Sequence, residues 1–166
     1  MLVIAGCDEM PDRDGHDSDV QAPTSSELTT RTEQNDRAAV IEAYDRFWAR
    51  THEVPHEPES EWEESMAQVA VDPQLSTTLQ GMRFQHEDGV TSYGHVRSRV
   101  SEVEIDADEA VVVDCQDASE SGQADLDTGE RKTVGVERNP IRARMERDTG
   151  DGRWKVAEIT YPGGEC

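Results

Sequence analysis

The hydrophobic period of this chain changes once, at Gly89, and that change limits the possible folds more than any other feature. Before it, apolar residues return every three or four positions; after it, they alternate. Val40, Ile41, Tyr44, Phe47 and Trp48 form one stripe at helical spacing. The spacing predicts a helix over 35–50, with Asn35 or Asp36 as its N-cap. Residues 51–60 contain Pro55 and Pro58 and read as a loop. A short helix is expected at about 61–69, with Trp62, Met66 and Val69 on one face. Asp72-Pro73 starts a third, with proline in its first turn, running through Leu75, Leu79 and Met82 to about Gln85.

After Gly89 the period is two. Residues 90–93 make a short extended piece. Val96, Ser98 and Val100 share one parity, and Val103 and Ile105 the other, so a bulge is expected near Ser101-Glu102. Asp106-Ala107-Asp108 reads as a hairpin turn. Val111, Val113 and Cys115 then alternate with Val112 and Asp114. Residues 118–130 read as a polar loop, and Val134 and Val136 as the start of another strand. Ile141, Ala143 and Met145 alternate with charged residues. The run Asp148-Thr149-Gly150-Asp151-Gly152 signals a hairpin, and a second parity switch near Ala157-Glu158 interrupts the last strand, 154–161. Helices followed by an antiparallel meander define an α+β domain: three N-terminal helices packed on a curved antiparallel sheet.

Charge excludes some partners. The 166 residues carry 37 Asp+Glu against 16 Lys+Arg, a formal net charge of -21. Only Lys132 and Lys155 are lysines. Such a surface repels nucleic acid, whose binding needs a basic patch. No apolar run approaches the roughly 20 residues of a membrane span. Acid in excess keeps a protein soluble and attracts cations; it does not specify a fold.

The first seven residues end in Ile4-Ala5-Gly6-Cys7, which resembles a bacterial lipobox: an aliphatic residue, two small ones, then cysteine. The resemblance implies that the Cys7 thiol receives diacylglycerol and becomes the mature N-terminus. The basic n-region of a signal peptide is missing, which suggests a true start further upstream. Residues 8–34, with Asp8, Glu9, Asp12, Asp14, Asp17 and Asp19 among Pro, Gly and Ser, are expected to be a disordered acidic tether. An EF-hand register on Asp12, Asp14 and Gly15 puts Met10 and Gln21 at the two end positions, so both end ligands are lost. The domain then occupies 35–166.

The order of elements, together with Gly152-Arg153-Trp154-Lys155-Val156-Ala157-Glu158-Ile159, resembles the NTF2-like superfamily, which includes ketosteroid isomerase and the SnoaL cyclases. That resemblance implies a cone-shaped α+β fold with an apolar pocket. Val113-Asp114-Cys115-Gln116-Asp117-Ala118-Ser119, Asp127-Thr128-Gly129-Glu130 and Gly164-Glu165-Cys166 are similar to secreted or lipid-anchored proteins of high-GC Gram-positive bacteria. The implied location is the outer face of the bacterial cell membrane.

Three cysteines, Cys7, Cys115 and Cys166, leave an odd thiol in an exported chain. With Cys7 lipidated the count closes, and a Cys115–Cys166 disulfide is expected. The alternative is two free thiols, with Cys115 as a small core residue. No GxSxG, Walker loop, GxGxxG or CxxC is present, and His52 and His56 flank Pro55 in an acidic loop (Glu53, Glu57, Glu59), so no catalytic, cofactor or metal residue is assigned. The candidates for pocket lining are Tyr44, Trp48, His95 and Asp117. Two readings stay open. One is a non-catalytic, lipid-anchored module binding a protein partner or small apolar ligand, with room for a homodimer. The other is a SnoaL- or isomerase-like enzyme, whose chemistry needs a base and a Tyr–carboxylic acid pair. A filled cone favours the first; a Tyr or His beside a desolvated carboxylate in an ordered pocket favours the second.

Overall fold

The computed structural model describes residues 25–166; the lipobox, Cys7 and residues 8–24 lie outside the described residues. The first helix, α1 (Ser25–Glu53), begins ten residues before the expected cap and continues through Asn35 and Asp36. The physical reason is the absence of a breaker: no Gly or Pro occurs between Ser25 and Val54. The expected loop at 51–60 is also more regular than its prolines suggested. It forms two 3₁₀ turns, Val54–His56 and Glu59–Glu61, with Val54 and Pro55 buried. Trp62 Nε1 donates to the Glu57 carbonyl at 3.0 Å and ties these turns to α2 (Trp62–Ala67). The third helix, α3 (Gln74–Glu87), follows Pro73.

Six strands follow: β1 (Val90–Gly94), β2 (Val100–Asp106), β3 (Glu109–Gln116), β4 (Ser121–Asp125), β5 (Asn139–Arg147) and β6 (Trp154–Thr160). They form a four-stranded antiparallel sheet in the order β2-β3-β5-β6 and a two-stranded one, β1-β4. An isolated bridge between Arg97 and Asp117 joins the regions. Both expected bulges are present. The β2–β3 register slips between Val100 and Glu102, and the β5–β6 register slips opposite Ala157. Each extra residue bends its strand and raises the local twist, so the sheet curves around the helices.

Three strand assignments differ from the sequence reading. Val96 and Ser98 lie ahead of β2, in the connection from β1. Residues 121–125, expected as loop, are β4 and pair with β1 from Val90↔Asp125 to Gly94↔Ser121. Their Ser-Gly-Gln-Ala-Asp composition has no β-branched or aromatic residue, so only the β1 partner makes them a strand. Conversely, Val134 and Val136 lie outside any strand and are exposed. Their segment follows the edge of β4 through single bonds, Gly135 N–H to the Ser121 carbonyl and Ala118 N–H to the Val136 carbonyl, both 2.8 Å.

The core lies between α1 and the concave face of the larger sheet. Val40, Ala43, Tyr44 and Phe47 point inward from α1 and meet Val112, Ile141, Ala143, Met145 and Val156, with Trp62, Met66, Leu79 and Met82 closing the side. The open edge of β6 is covered: Val71 N–H donates to the Val156 carbonyl, Val156 N–H donates to the Val69 carbonyl, and the Gln74 side chain accepts from Ile159 N–H.

Cys115 and Cys166 form a disulfide with Cα atoms 5.6 Å apart. On β3 the inward face carries Ala110, Val112, Asp114 and Gln116, so Cys115 points to the opposite, half-exposed face. The C-terminal segment therefore leaves β6 and passes the end of β5 to reach β3 from outside. No helix among the described residues is long and apolar enough to cross a membrane.

Candidate functional site

Helical geometry places Asp45, Trp48, Ala49 and His52 on one ridge of α1, one side step from the core stripe. This ridge, with Glu53, forms one wall of a cleft of about 360 Å³. The opposite wall is the β1–β2 connection, Gly94, His95, Val96, Arg97 and Ser98. Gly94 makes this wall possible. Its φ is +76°, and a Cβ there would lie 2.0 Å from the Glu120 carbonyl oxygen. The close approach brings the Glu120 carboxylate to His95 Nε2 at 3.0 Å and to the Arg97 guanidinium at 2.7 Å. Inside the helix wall, His52 Nδ1 lies 3.0 Å from the Trp48 carbonyl, so Nδ1–H donates to it and Nε2 is the nitrogen that can accept.

Trp48 and His95 thus line the same cleft, and Tyr44 and Asp117 do not. Tyr44 is fully buried, in edge-to-face contact with Trp48 at 6.1 Å between centroids. Asp117 closes a turn at the end of β3. It accepts from the Ser119 N–H at 3.0 Å and hydroxyl at 2.7 Å, and pairs with Arg99 at 2.6 Å. The Ser119 bonds, and then Arg99 and Arg97, hold its carboxyl below the ordinary aspartate range.

The residue that the sequence reading did not select is Asp114. It is 2% exposed, on the inward face of β3. Its Oδ2 accepts from the Tyr44 hydroxyl at 2.9 Å and its Oδ1 from the Arg99 backbone N–H at 2.6 Å. Burial pushes its carboxyl above the ordinary range, against those two bonds, and the nearby Asp45 charge adds to the rise. Burial, then the charge of Asp114, raises the Tyr44 hydroxyl as well. The available signal was parity: Asp114 continues the face that Ala110 and Val112 begin. Elsewhere among the described residues, the buried Trp48 Nε1, Thr91 Oγ1, Gln116 Nε2 and Trp154 Nε1 have no hydrogen-bond partner. Among the described residues no group of three or more His, Cys, Asp or Glu side chains is arranged to hold a metal ion.

The intermembrane space region of chloroplast protein ARC6 is similar in structure, with a TM-score of 0.55 at 15% identity, covering 81% of this chain and 96% of that one. At that identity the likeness concerns the fold alone. A de novo designed β-sheet protein, solved by NMR, aligns with a TM-score of 0.38 at 17% identity over 77% of this chain and 92% of that one. No protein-family model matches the sequence. No curated relative matches it either.

Proposed function

We propose that this protein is an extracytoplasmic, non-catalytic binding module, held at the outer face of the cell membrane by lipid on Cys7, that receives a small ligand or a protein partner at the cleft between α1 and the β1–β2 connection. The closure of the Tyr44–Asp114 pair carries this reading. Its hydroxyl–carboxyl arrangement is suited to proton chemistry, but the two residues are 0% and 2% exposed and packed among Phe47, Ile141 and Val112. A general acid or base must come within hydrogen-bond reach of its reactant. The cleft, in contrast, is open to solvent and combines an aromatic wall with polar groups, as ligand sites do. The disulfide supports an oxidising compartment. The NTF2-like cone is part of the proposal, supported by the order of helices and strands and the two bulges that curve the sheet.

One observation favours the enzymatic alternative: a tyrosine donates to a desolvated carboxyl, as an isomerase-like site requires. A single experiment separates the readings. Amide and indole NMR shifts of the oxidised full chain are followed during titration with small organic ligands. The module reading expects saturable shifts at Trp48, His52 and 94–98. Saturable shifts centred on Tyr44 and Asp114, with the cleft unmoved, would overturn it in favour of the enzyme. The anchor is tested separately by mass spectrometry of the protein made in a lipoprotein-processing bacterium; an unmodified Cys7 in the mature chain removes the lipid from the proposal.

A further inference from the structure

The charges around the cleft do not balance. Arg97 and His95 share the Glu120 carboxylate. Glu53 is held by Arg50 at 3.0 Å, on the side of α1 that also binds Glu57. Asp45 lines the cleft and has no ion-pair or hydrogen-bond partner among the described residues. One turn along α1 is the Trp48 side chain, and a turn beyond that is His52, whose Nδ1–H is committed to the helix backbone. The cavity is of a size that accommodates a molecule of a few carbons. The whole molecule, at a net charge of -21, draws cations toward any concave site.

We infer that the cleft ligand is a small alkylammonium ion, its charged head on Asp45 and its carbon chain against Trp48. This rests on the reading of the domain as a binding module and names the chemical class that the module takes. An N–H of the ammonium donates to the Asp45 carboxylate, a charge-assisted bond that a neutral alcohol reproduces only weakly and a carboxylate opposes. The aromatic wall adds apolar contact and attraction for the cation. The field of Asp45 reaches the interior, since its charge contributes to the raised carboxyl of Asp114. Neutralising Asp45 with a bound cation lowers that carboxyl in turn.

The test uses the oxidised full chain and three probes of matched size: butylammonium, 1-butanol and butyrate, each at constant ionic strength. Butylammonium is expected to give saturable shifts at the Trp48 indole and at the amides of 94–98. Asp45→Asn should weaken it about tenfold, the size of one lost charge-assisted hydrogen bond. Glu42→Gln, which removes an exposed α1 carboxylate outside the cleft, should leave the affinity unchanged. Equal binding of butylammonium and 1-butanol, or an affinity untouched by Asp45→Asn, overturns the cationic class and leaves the module reading standing. Equal weakening by Glu42→Gln, or shifts spread over the surface without saturation, reduces the effect to bulk charge and overturns it too. Silence of the cleft toward all three probes counts against both.

Discussion

Tyr44 and Asp114 show how one buried polar pair is tolerated in an otherwise apolar core. Each carboxylate oxygen of Asp114 has a donor, Tyr44 on one side and the Arg99 backbone on the other. Removing a donor leaves a buried acceptor unsatisfied. Tyr44→Phe is therefore expected to lower stability by about 1–3 kcal/mol, measured by urea unfolding at neutral pH. Asp114→Asn should behave differently. Its carbonyl oxygen can accept from Arg99 N–H while its amide faces the Tyr44 oxygen. A carboxyl raised in the folded state stabilises the fold below its unfolded value near ~3.9 and loses that contribution as pH rises through the higher folded value. The asparagine has no such loss. The stability of Asp114→Asn relative to the parent should accordingly rise as pH increases above about 4, and flat difference curves from thermal melts would refute the account.

At the scale of elements, the connection between β1 and β2 is set by what β4 allows. Glu120, just before β4, comes so close to Gly94 that a Cβ would overlap its carbonyl oxygen, and the positive φ adds strain for any other residue. Gly94→Ala should destabilise the protein by at least about 1 kcal/mol. It should also displace His95 and Arg97 from Glu120, which changes the cleft before it changes the core. The expected sign in NMR is a perturbation concentrated at 92–98 and 118–123, with Val40, Val112 and Met145 nearly unmoved. The strands themselves differ in how much of their order is local. β5, with Ile141, Ala143 and Met145 inward, declares itself by alternation. β4 has almost no such pattern and depends on register with β1.

Across the whole molecule, the disulfide is the longest-range constraint and closes a separation of 51 residues. It fixes the C-terminal segment to β3, two strands away from β6 in the sheet. In the chain-entropy picture a loop of about 50 residues corresponds to roughly 4 kcal/mol, and loss of native bridges costs about 2–5 kcal/mol. That is a large share of the about 5–15 kcal/mol typical of a domain. Cys115→Ser and Cys166→Ser are expected to lower stability by similar amounts, with the double substitution no worse than either. A double substitution markedly less stable than both singles would mean that each thiol contributes by packing rather than by the bond.

Hydrophobic period by itself located the helices and the strands β3, β5 and β6, and missed β4. Val40 through Trp48, Trp62 through Val69, and the alternations of β3, β5 and β6 each repeat at the spacing of one structure, and burial of one face follows directly. It also located both bulges, because a parity switch within a strand has no other regular solution. The cysteine count, with Cys7 set apart, led to the pair that the structure joins. Tertiary structure alone decided the rest. The start of α1 at Ser25 has no apolar marker, since none of residues 31–39 is buried. Whether Val134 and Val136 become a strand depends on a partner edge that sequence does not reveal. The cleft combines α1 with the β1–β2 connection, more than 40 positions apart, so Trp48 and His95 meet only after the sheets have formed. Asp114 was the hardest residue to recognise. An aspartate in an acidic sequence reads as surface, and only the packing of Tyr44 and the Arg99 backbone against it makes a buried carboxyl acceptable.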